Sequence, residues 1–269
     1  MTAMPTPYLS LGLCSVTLRA CSIDEVVAVA SGAGLECIEW GGDVHVPPGD
    51  LDAARRARSA TLAAGLRVAS YGSYWRCAGD FAPVLASARA LGAPRVRIWA
   101  GQTASADASP TQRDEIAAAA RAAAALAAAT PPPAAATPPP AAATPPAPAA
   151  SPPAPIALAF ELHGGTLTDT FDSALALVEA SGVPCYWQPP QSMPDDSALA
   201  GLRALPGVPA VHVFSWWPGS TRLRLRERAA LWRAVFEIFR SGDALLEFVP
   251  DDDPALVAEE AEACRALLS

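Results

Sequence analysis

Short apolar runs alternate with longer stretches of helical periodicity along most of the chain. Eight apolar runs have the length of buried strands, and each is followed by a helical pattern. This alternation predicts a parallel sheet covered by helices. The predicted strands are Leu9 to Cys14, Leu35 to Trp40, Leu66 to Tyr71, Arg95 to Trp99, Ile156 to Glu161, Pro184 to Gln188, Ala210 to Phe214 and Ala244 to Phe248.

The clearest helical stretches begin or end at residues suited to a helix terminus. Ser22 and Glu25 have the spacing of a capping box, Gly65 suits the end of the second helix, and Pro254 suits a first helical turn. The predicted helices are Ser22 to Ser31, Asp50 to Ala64, Arg113 to Ala129, Asp172 to Ser181, Arg222 to Arg240 and Pro254 to Leu268.

Eight β/α units in about 250 residues are typical of a closed (β/α)8 barrel, the TIM barrel of the α/β class. A doubly wound open sheet is the rival architecture. The first β-to-α turn, Cys14 to Ser22, contains no glycine, so the G-x-G-x-x-G fingerprint of a dinucleotide fold is absent there. The chain also lacks a G-x-x-x-x-G-K-[ST] loop. The sequence therefore favours the barrel.

A low-complexity tract separates the fourth predicted helix from the fifth strand. It repeats A-A-A-T-P-P with a seven-residue period and contains 12 of the 28 prolines, between Pro131 and Pro155. Such a tract neither sustains a helix nor builds a core. We predict one domain over residues 8–269, interrupted by a disordered or polyproline-like insert at 130–155, on the barrel face opposite the active site. A ligand for a proline-recognition module is the alternative, but flanking basic residues are missing.

Charge and cysteine usage narrow the possible partners. The 19 Lys and Arg against 27 Asp and Glu give a net charge of -8, which argues against binding nucleic-acid phosphates or an anionic membrane. We find no secretory signal pattern and no apolar stretch long enough to span a bilayer. The six cysteines form no C-x-x-C pair. These features predict a cytoplasmic protein with reduced thiols that acts on a small molecule.

Alternation along each strand predicts which side chains face the barrel lumen. In the fifth strand, Leu158 and Phe160 should face the helices, and Ala159 and Glu161 the lumen. A carboxylate that ends an inward apolar row is costly to bury alone, so it should be paired, hydrogen-bonded or bound to a metal.

Three further polar residues should lie near Glu161. Alternation turns His212 of the seventh strand and Glu247 of the eighth inward, and Gln188 of the sixth offers a carbonyl oxygen between them. This oxygen and nitrogen set suits Mn2+, Mg2+, Co2+ or Zn2+, so we predict all four residues as ligands of a divalent metal ion. The alternative is that the glutamates bond to loop amides and that His212 is a satisfied core histidine.

Substrate contacts are expected in the loops after the strands, where barrels of this kind carry their chemistry. Arginines there could hold a phosphate or carboxylate, unless they form structural ion pairs with Glu39 or Asp43. Aromatic rings could face the C–H side of a sugar or pack at the rim. The predicted substrate-binding residues are Trp40, His45, Arg76, Arg97, Trp99, His163 and Trp187.

Several local strings resemble the sugar phosphate isomerase/epimerase group, the xylose isomerase-like TIM barrels. They lie at residues 38–45, 71–76, 97–101, 160–163, 186–189, 212–214 and 246–249. The resemblance covers nearly all of the chain outside the insert. It implies a divalent metal held by Glu161, an acid on the sixth strand, His212 and Glu247. Gln188 stands where the acid is usual, and the histidine that often follows is missing, with Gln191 nearest.

The resemblance implies proton abstraction α to a carbonyl through an enediolate. The metal polarises the carbonyl and anchors a hydroxyl, while Glu161 and Glu247 exchange the proton as base and acid. This predicts a metal-dependent isomerase or epimerase acting on a sugar, sugar phosphate or related polyhydroxy carbonyl compound.

Three other functions are compatible with the same scaffold to different degrees. An inosose-type dehydratase would use the same proton abstraction followed by loss of hydroxide. A non-catalytic sugar-binding barrel is consistent with the substitution at Gln188. An endonuclease acting at abasic DNA sites is disfavoured, because it needs more histidines than three and a basic surface.

Overall fold

The computed structural model describes residues 8–129 and 155–268. The predicted Pro/Ala insert lies outside the described residues up to position 154. Within the described part, no helix is both long and apolar enough to cross a membrane.

Seven parallel strands form one sheet in the order β5-β4-β3-β2-β1-β9-β6. A two-stranded antiparallel hairpin, β7 with β8, follows β6. The bounds are β1 (Leu9–Cys14), β2 (Cys37–Gly41), β3 (Arg67–Gly72), β4 (Arg95–Ile98), β5 (Ala157–Phe160), β6 (Ala210–Val213), β7 (Ser215–Trp216), β8 (Arg222–Leu223) and β9 (Gly242–Leu246).

The sixth barrel position is filled by a short segment that closes the sheet. Cys185 bridges Phe160 of β5, and Trp187 bridges Val211 of β6, both in parallel orientation. Four backbone hydrogen bonds make this connection, two to β5 and two to β6. The segment coincides with the sixth predicted strand, so eight chain segments surround the lumen and the predicted α/β TIM-barrel class is confirmed.

Eight helices cover the described part of the sheet. The predicted capping box at Ser22 and Glu25 is confirmed, with Ser22 accepting from the Glu25 amide. The bounds are α1 (Ile23–Gly32), α2 (Leu51–Ala63), α3 (Ala82–Leu91), α4 (Pro110–Ala128), α5 (Phe171–Ser181), α6 (Asp195–Ala204), α7 (Ala229–Ile238) and α8 (Leu256–Leu268).

The predicted helix from Arg222 to Arg240 is wrong in its first third. Arg222 pairs with Trp216 in the hairpin, a short 3-10 turn follows at Leu225–Arg228, and α7 begins only at Ala229. Glu260 is buried, pairs with Arg224 and accepts the Leu225 amide at 2.8 Å, and these contacts to α8 hold the stretch in place before α7 begins.

The core has two layers, as alternation along the strands predicts. Leu158 and Phe160 belong to the large cluster between sheet and helices, whereas Ala159 belongs to a separate cluster inside the lumen. The lumen cluster consists of Cys14, Val16, Cys37, Ala69, Ala159, Tyr186, Ala210 and Leu245. At the amino ends of the strands, Asp243 pairs with both Arg67 and Arg95, which closes that end. Chemistry is therefore confined to the carboxyl ends.

Candidate active site

The carboxyl ends of the closing strands bring the four predicted metal ligands together. His212 Nδ1 lies 2.8 Å from Gln188 Oε1, 3.5 Å from Glu247 Oε2 and 3.9 Å from Glu161 Oε1. The Gln188 amide donates to the Leu162 carbonyl at 2.7 Å, which turns the Gln188 oxygen toward His212. Glu161, His212 and Glu247 are all buried. The four side chains therefore form one cluster around the His212 ring.

Glu161 is held through one of its two carboxylate oxygens. Trp99 Nε1 donates to Oε2 at 2.6 Å, and Arg97 forms an ion pair with the same oxygen. A Cβ at Gly72 would lie 2.6 Å from Arg97 Nη2, so only glycine leaves room for the guanidinium. The other oxygen, Oε1, faces His212 and carries the remaining lone pairs of Glu161.

Glu247 has a contrasting environment. Its Oε2 atom is buried and has no hydrogen-bond partner among the described residues. His212 Nε2 is likewise buried and without a hydrogen bond in that part of the chain. Buried polar atoms are almost always satisfied, so two such atoms in one cluster indicate a missing partner.

Glu39 is a member of the cluster that the strand patterns did not single out as a functional residue. It accepts from Arg97 Nε at 2.8 Å and from Ser70 Oγ at 2.6 Å, and its Oε1 lies 3.6 Å from His212 Nε2. Its signal was available, because Glu39 has the same strand parity as Cys37, which lines the lumen. Glu39 thus borders the imidazole on the side opposite Nδ1.

Charges in the cluster do not balance when the imidazole is neutral. Three carboxylates, Glu39, Glu161 and Glu247, face one guanidinium, Arg97, which leaves two uncompensated negative charges. The protonation of the cluster reflects this excess. Burial raises the pKa of Glu247 to about 7, with Glu161 and Glu39 adding to the shift against His212 and Arg97.

The other two titrating groups respond to the same field. Burial opposes a charged imidazole, but Glu247, Glu39 and Glu161 together raise the pKa of His212 above its ordinary value. Burial also opposes ionisation of Glu39, yet Arg97 and then His212 lower its pKa well below the usual range. The pKa shifts of His212 and Glu247 are thus both upward, the direction that an excess of negative charge favours.

A cavity of about 590 Å³ opens directly above this cluster. Its volume is in the range of small-molecule sites. Glu161, Gln188 and Glu247 lie at its floor, and its walls combine aromatic rings with polar side chains and prolines. Of the predicted substrate-binding residues, Arg97, Trp99 and His163 line this cavity. The wall also includes Arg19, Tyr74, Asp169, Gln191, Phe214, Trp216 and Phe248, none of which was among the predicted site residues.

Trp99 is covered on both faces. The His163 ring stacks on one face with its centroid 3.9 Å away, and the Arg76 guanidinium lies 4.1 Å from the ring centre. This corrects the expectation that Trp99 offers a free apolar face to a sugar. Its edge, which carries Nε1, is directed at Glu161 instead.

Ion pairing accounts for two arginines at this end of the barrel. Arg97 pairs with Glu39, and Arg19 pairs with Asp43 at 2.5 Å, the structural ion pairs that were the alternative to substrate binding. Arg76 has neither partner. It donates to the Gly101 carbonyl at 3.3 Å and lines a neighbouring cavity.

Trp40, His45 and Trp187 do not line the main cavity, which corrects their predicted positions at the site. Trp40 and Trp187 are fully buried in the layer between sheet and helices, and their indole N–H groups donate to Thr61 Oγ1 and the Ala198 carbonyl. His45 is buried beside Trp40, with Nε2 3.0 Å from the Cys21 carbonyl.

Cys14 adds a donor atom that sequence reasoning missed. Its Sγ, a nitrogen of His212 and an oxygen of Glu247 lie within 4.8 Å of one another, and all three residues are buried. The described part of the chain therefore contains a His/Cys/Glu group that could hold a metal ion.

Comparisons with known proteins support the fold. No family model and no curated protein matches the sequence. Among solved structures, a probable 3-DHS dehydratase involved in petrobactin synthesis from Bacillus anthracis matches with a TM-score of 0.72 and 17% identity, over 95% of this chain and 98% of that one. A xylose isomerase domain protein from Planctomyces limnophilus gives a TM-score of 0.66 at 14% identity, over 97% of each chain.

An L-ribulose 3-epimerase matches with a TM-score of 0.61 and 18% identity, over 97% of this chain and 93% of the epimerase. At these identities the likeness concerns the fold. The resemblance indicated by the local strings is confirmed at that level: the chain has the TIM-barrel fold of xylose isomerase-like domain proteins.

Proposed function

We propose that the protein is a divalent-metal-dependent isomerase or epimerase. Its substrate would be a sugar, a sugar phosphate or a related polyhydroxy carbonyl compound, and the reaction would be proton transfer α to the carbonyl. The observation that carries the proposal is the buried cluster of Glu161, Gln188, His212 and Glu247 at the floor of a small-molecule cavity.

The donor set fits a divalent cation in charge and in orientation. Two uncompensated negative charges, together with the unpartnered Glu247 Oε2, are what such an ion would satisfy. Its ligands would be Glu161 Oε1, Gln188 Oε1, His212 Nδ1 and Glu247, with the Cys14 thiol as a further soft donor nearby. Binding would require His212 to carry its proton on Nε2, beside Glu39, the arrangement that orients metal-bound histidines.

The two glutamates would then have different tasks. When bound, the metal ion supplies Lewis-acid polarisation of the substrate carbonyl. Glu247 lines the cavity and would remove the α-proton with the carboxylate oxygen that the ion does not take. Arg97 and Trp99 restrain Oε2 of Glu161. Glu161 would therefore exchange a proton with the substrate only through its other oxygen, Oε1. An isomerase can use Glu247 alone, whereas inversion at a carbon requires both.

Dehydration is the second candidate. It is favoured by the likeness to the probable 3-DHS dehydratase, whose TM-score is 0.72. The first step, proton removal beside a carbonyl, is common to both reactions, and loss of hydroxide would follow. The experiment also tests a non-catalytic sugar-binding barrel. Gln188 is compatible with that function, because an amide adds no negative charge to a metal site.

The test combines metal analysis with proton exchange. Purified protein should contain about one Mn2+, Mg2+, Co2+ or Zn2+ ion per chain. Ketoses, ketose phosphates and an inosose should exchange the hydrogen next to the carbonyl with solvent deuterium, and product analysis separates isomerisation, epimerisation and dehydration. Glu247→Gln should abolish exchange. Absence of both metal and exchange across the panel would replace the proposal with a binding function.

A further inference from the structure

A second cavity adjoins the proposed active site at the same end of the barrel. It has a volume of about 510 Å³ and is lined by residues that follow β3 and β4 and by the first turns of α4. Tyr74 lines both cavities. The wall of the second cavity includes Trp75, Arg76, Gln102, Thr103, Gln112 and Ile116.

Arg76 is the cation of this second cavity, and its charge is not neutralised by the protein. No carboxylate oxygen of the described residues lies within ion-pair distance of it, whereas Arg19, Arg97 and Arg222 each pair with a carboxylate. Its one hydrogen bond to the described residues goes to the Gly101 carbonyl, and its guanidinium carbon lies 4.1 Å from the centre of the Trp99 ring. A guanidinium has five N–H donors, so most remain free for a ligand.

Two other features of the wall favour an anion. The indole Nε1 of Trp75 is buried and has no hydrogen-bond partner among the described residues. Helix α4 begins at Pro110, capped by Ser109, so its positive dipole end borders the cavity near Gln112. Glu115 also lines the cavity, but it is exposed to solvent.

We propose that this second cavity binds the anionic end of the substrate, a carboxylate or a phosphate group, through Arg76. The proposal rests on the proposed function, because it assumes that the reacting carbonyl lies at the Glu161 and Glu247 cluster. Trp99 separates the two positions: its N–H donates to Glu161, and the Arg76 guanidinium packs on its ring. Planar guanidinium groups bind both oxyanions through paired hydrogen bonds. The substrate class is thereby narrowed from neutral sugars to polyhydroxy carbonyl acids or phosphates.

The experiment measures binding without turnover. Glycerol, D-glycerate and glycerol 3-phosphate share a skeleton and differ in the neutral, carboxylate or phosphate end. Each is titrated calorimetrically into the protein as isolated and after EDTA treatment, since an oxyanion could also bind a metal at Glu247. We expect both anions, or one of them, to bind in both samples and glycerol not to bind.

Variants assign the binding to the cavity. Arg76→Gln should weaken anion binding by roughly 10-fold or more. Arg76→Lys keeps the charge and should give an intermediate loss, and Trp75→Phe should cost a few-fold. Arg203→Gln, on the exposed surface of α6, makes the same change in net charge and should have no effect.

Each outcome decides the proposal. Binding of glycerate alone identifies a carboxylate substrate, and binding of glycerol 3-phosphate alone identifies a phosphate. Equal binding of glycerol, or anion binding that survives both Arg76→Gln and Trp75→Phe, overturns it. These titrations need neither metal nor catalysis. The anion-site proposal can therefore be wrong while metal binding and proton exchange are observed, and anions can bind while metal and exchange are absent.

Discussion

Glu161 and Glu247 both lie beside Nδ1 of the His212 imidazole, yet their surroundings differ. Two donors, Arg97 and Trp99, restrain Glu161, while Glu247, directly after β9, has an oxygen without a hydrogen-bond partner among the described residues. The same residue type therefore has two unlike environments: Glu161 is held by two donors, whereas burial raises the pKa of Glu247 to about 7. Pairs of carboxyl groups in unlike environments divide acid and base roles in this way.

The largest effects are expected from two variants that test the difference between the glutamates, Glu247→Gln and Glu161→Gln. Removing a general base typically costs 10² to 10⁴-fold in rate, so we expect a loss of about that size in deuterium exchange for Glu247→Gln. Glu161→Gln should chiefly weaken metal retention, measured by elemental analysis after dialysis. If the two variants lose exchange equally while both keep their metal, the division of roles is wrong.

Arg97→Met tests the ion pairs that restrain Glu161. It leaves Glu39 and Glu161 buried without their cation, which we expect to lower the free energy of unfolding by about 3–5 kcal/mol. Arg19→Met is the matched control, since its pair with Asp43 is partly exposed and should contribute less than about 1 kcal/mol. Urea unfolding at pH 7 provides both values. Equal losses of unfolding free energy in the two variants would mean that the buried ion pairs of Arg97 contribute no more to stability than the exposed pair of Arg19.

Glu247 should make the free energy of unfolding of the metal-free protein depend on pH. Burial raises the pKa of Glu247 from 4.5 to about 7, so between these values the folded protein binds more protons than the unfolded chain. Stability should therefore fall as pH rises from about 5 to 8, by on the order of 3 kcal/mol. Thermal unfolding after EDTA treatment measures this slope. Glu247→Gln should flatten it, and a slope that persists in that variant would assign it elsewhere.

Trp99→Phe gives the smallest and most selective change. It removes the N–H that holds Glu161 Oε2, and we expect a loss of about 1.5–3 kcal/mol in unfolding free energy. Trp216→Phe removes an indole N–H from the same cavity that has no partner among the described residues, so it should cost little. A similar loss in both variants would show that ring volume matters and the Glu161 hydrogen bond does not.

Much of the architecture is legible in the sequence because strand alternation reports directly on two different environments. The opposite placement of Phe160 and Ala159 followed from it, as did the meeting of Glu161, His212 and Glu247. The same rule would have excluded Trp40, since it shares its strand face with Ile38 in the outer layer. Judging tryptophans by their position at a strand end, without their parity, placed Trp40 and Trp187 wrongly.

Other features depend on contacts between distant parts of the chain. The Arg97 ion pairs need the space above Gly72, which lies on the neighbouring strand, and nothing in either strand's own pattern indicates it. The hairpin at Arg222 is a similar case. Its charged, amphipathic sequence has helical periodicity, and pairing with Trp216 overrides that local preference.

The short sixth segment of the barrel has a consequence for how the molecule opens. It has one bridge pair with β5 and one with β6, whereas β1 and β9 share five register pairs. In native-state hydrogen exchange, amides of this seam should therefore lose protection before those of β1. Gln188 lies at the end of that seam, so of the four proposed metal ligands it should be displaced most readily while the other three stay in place.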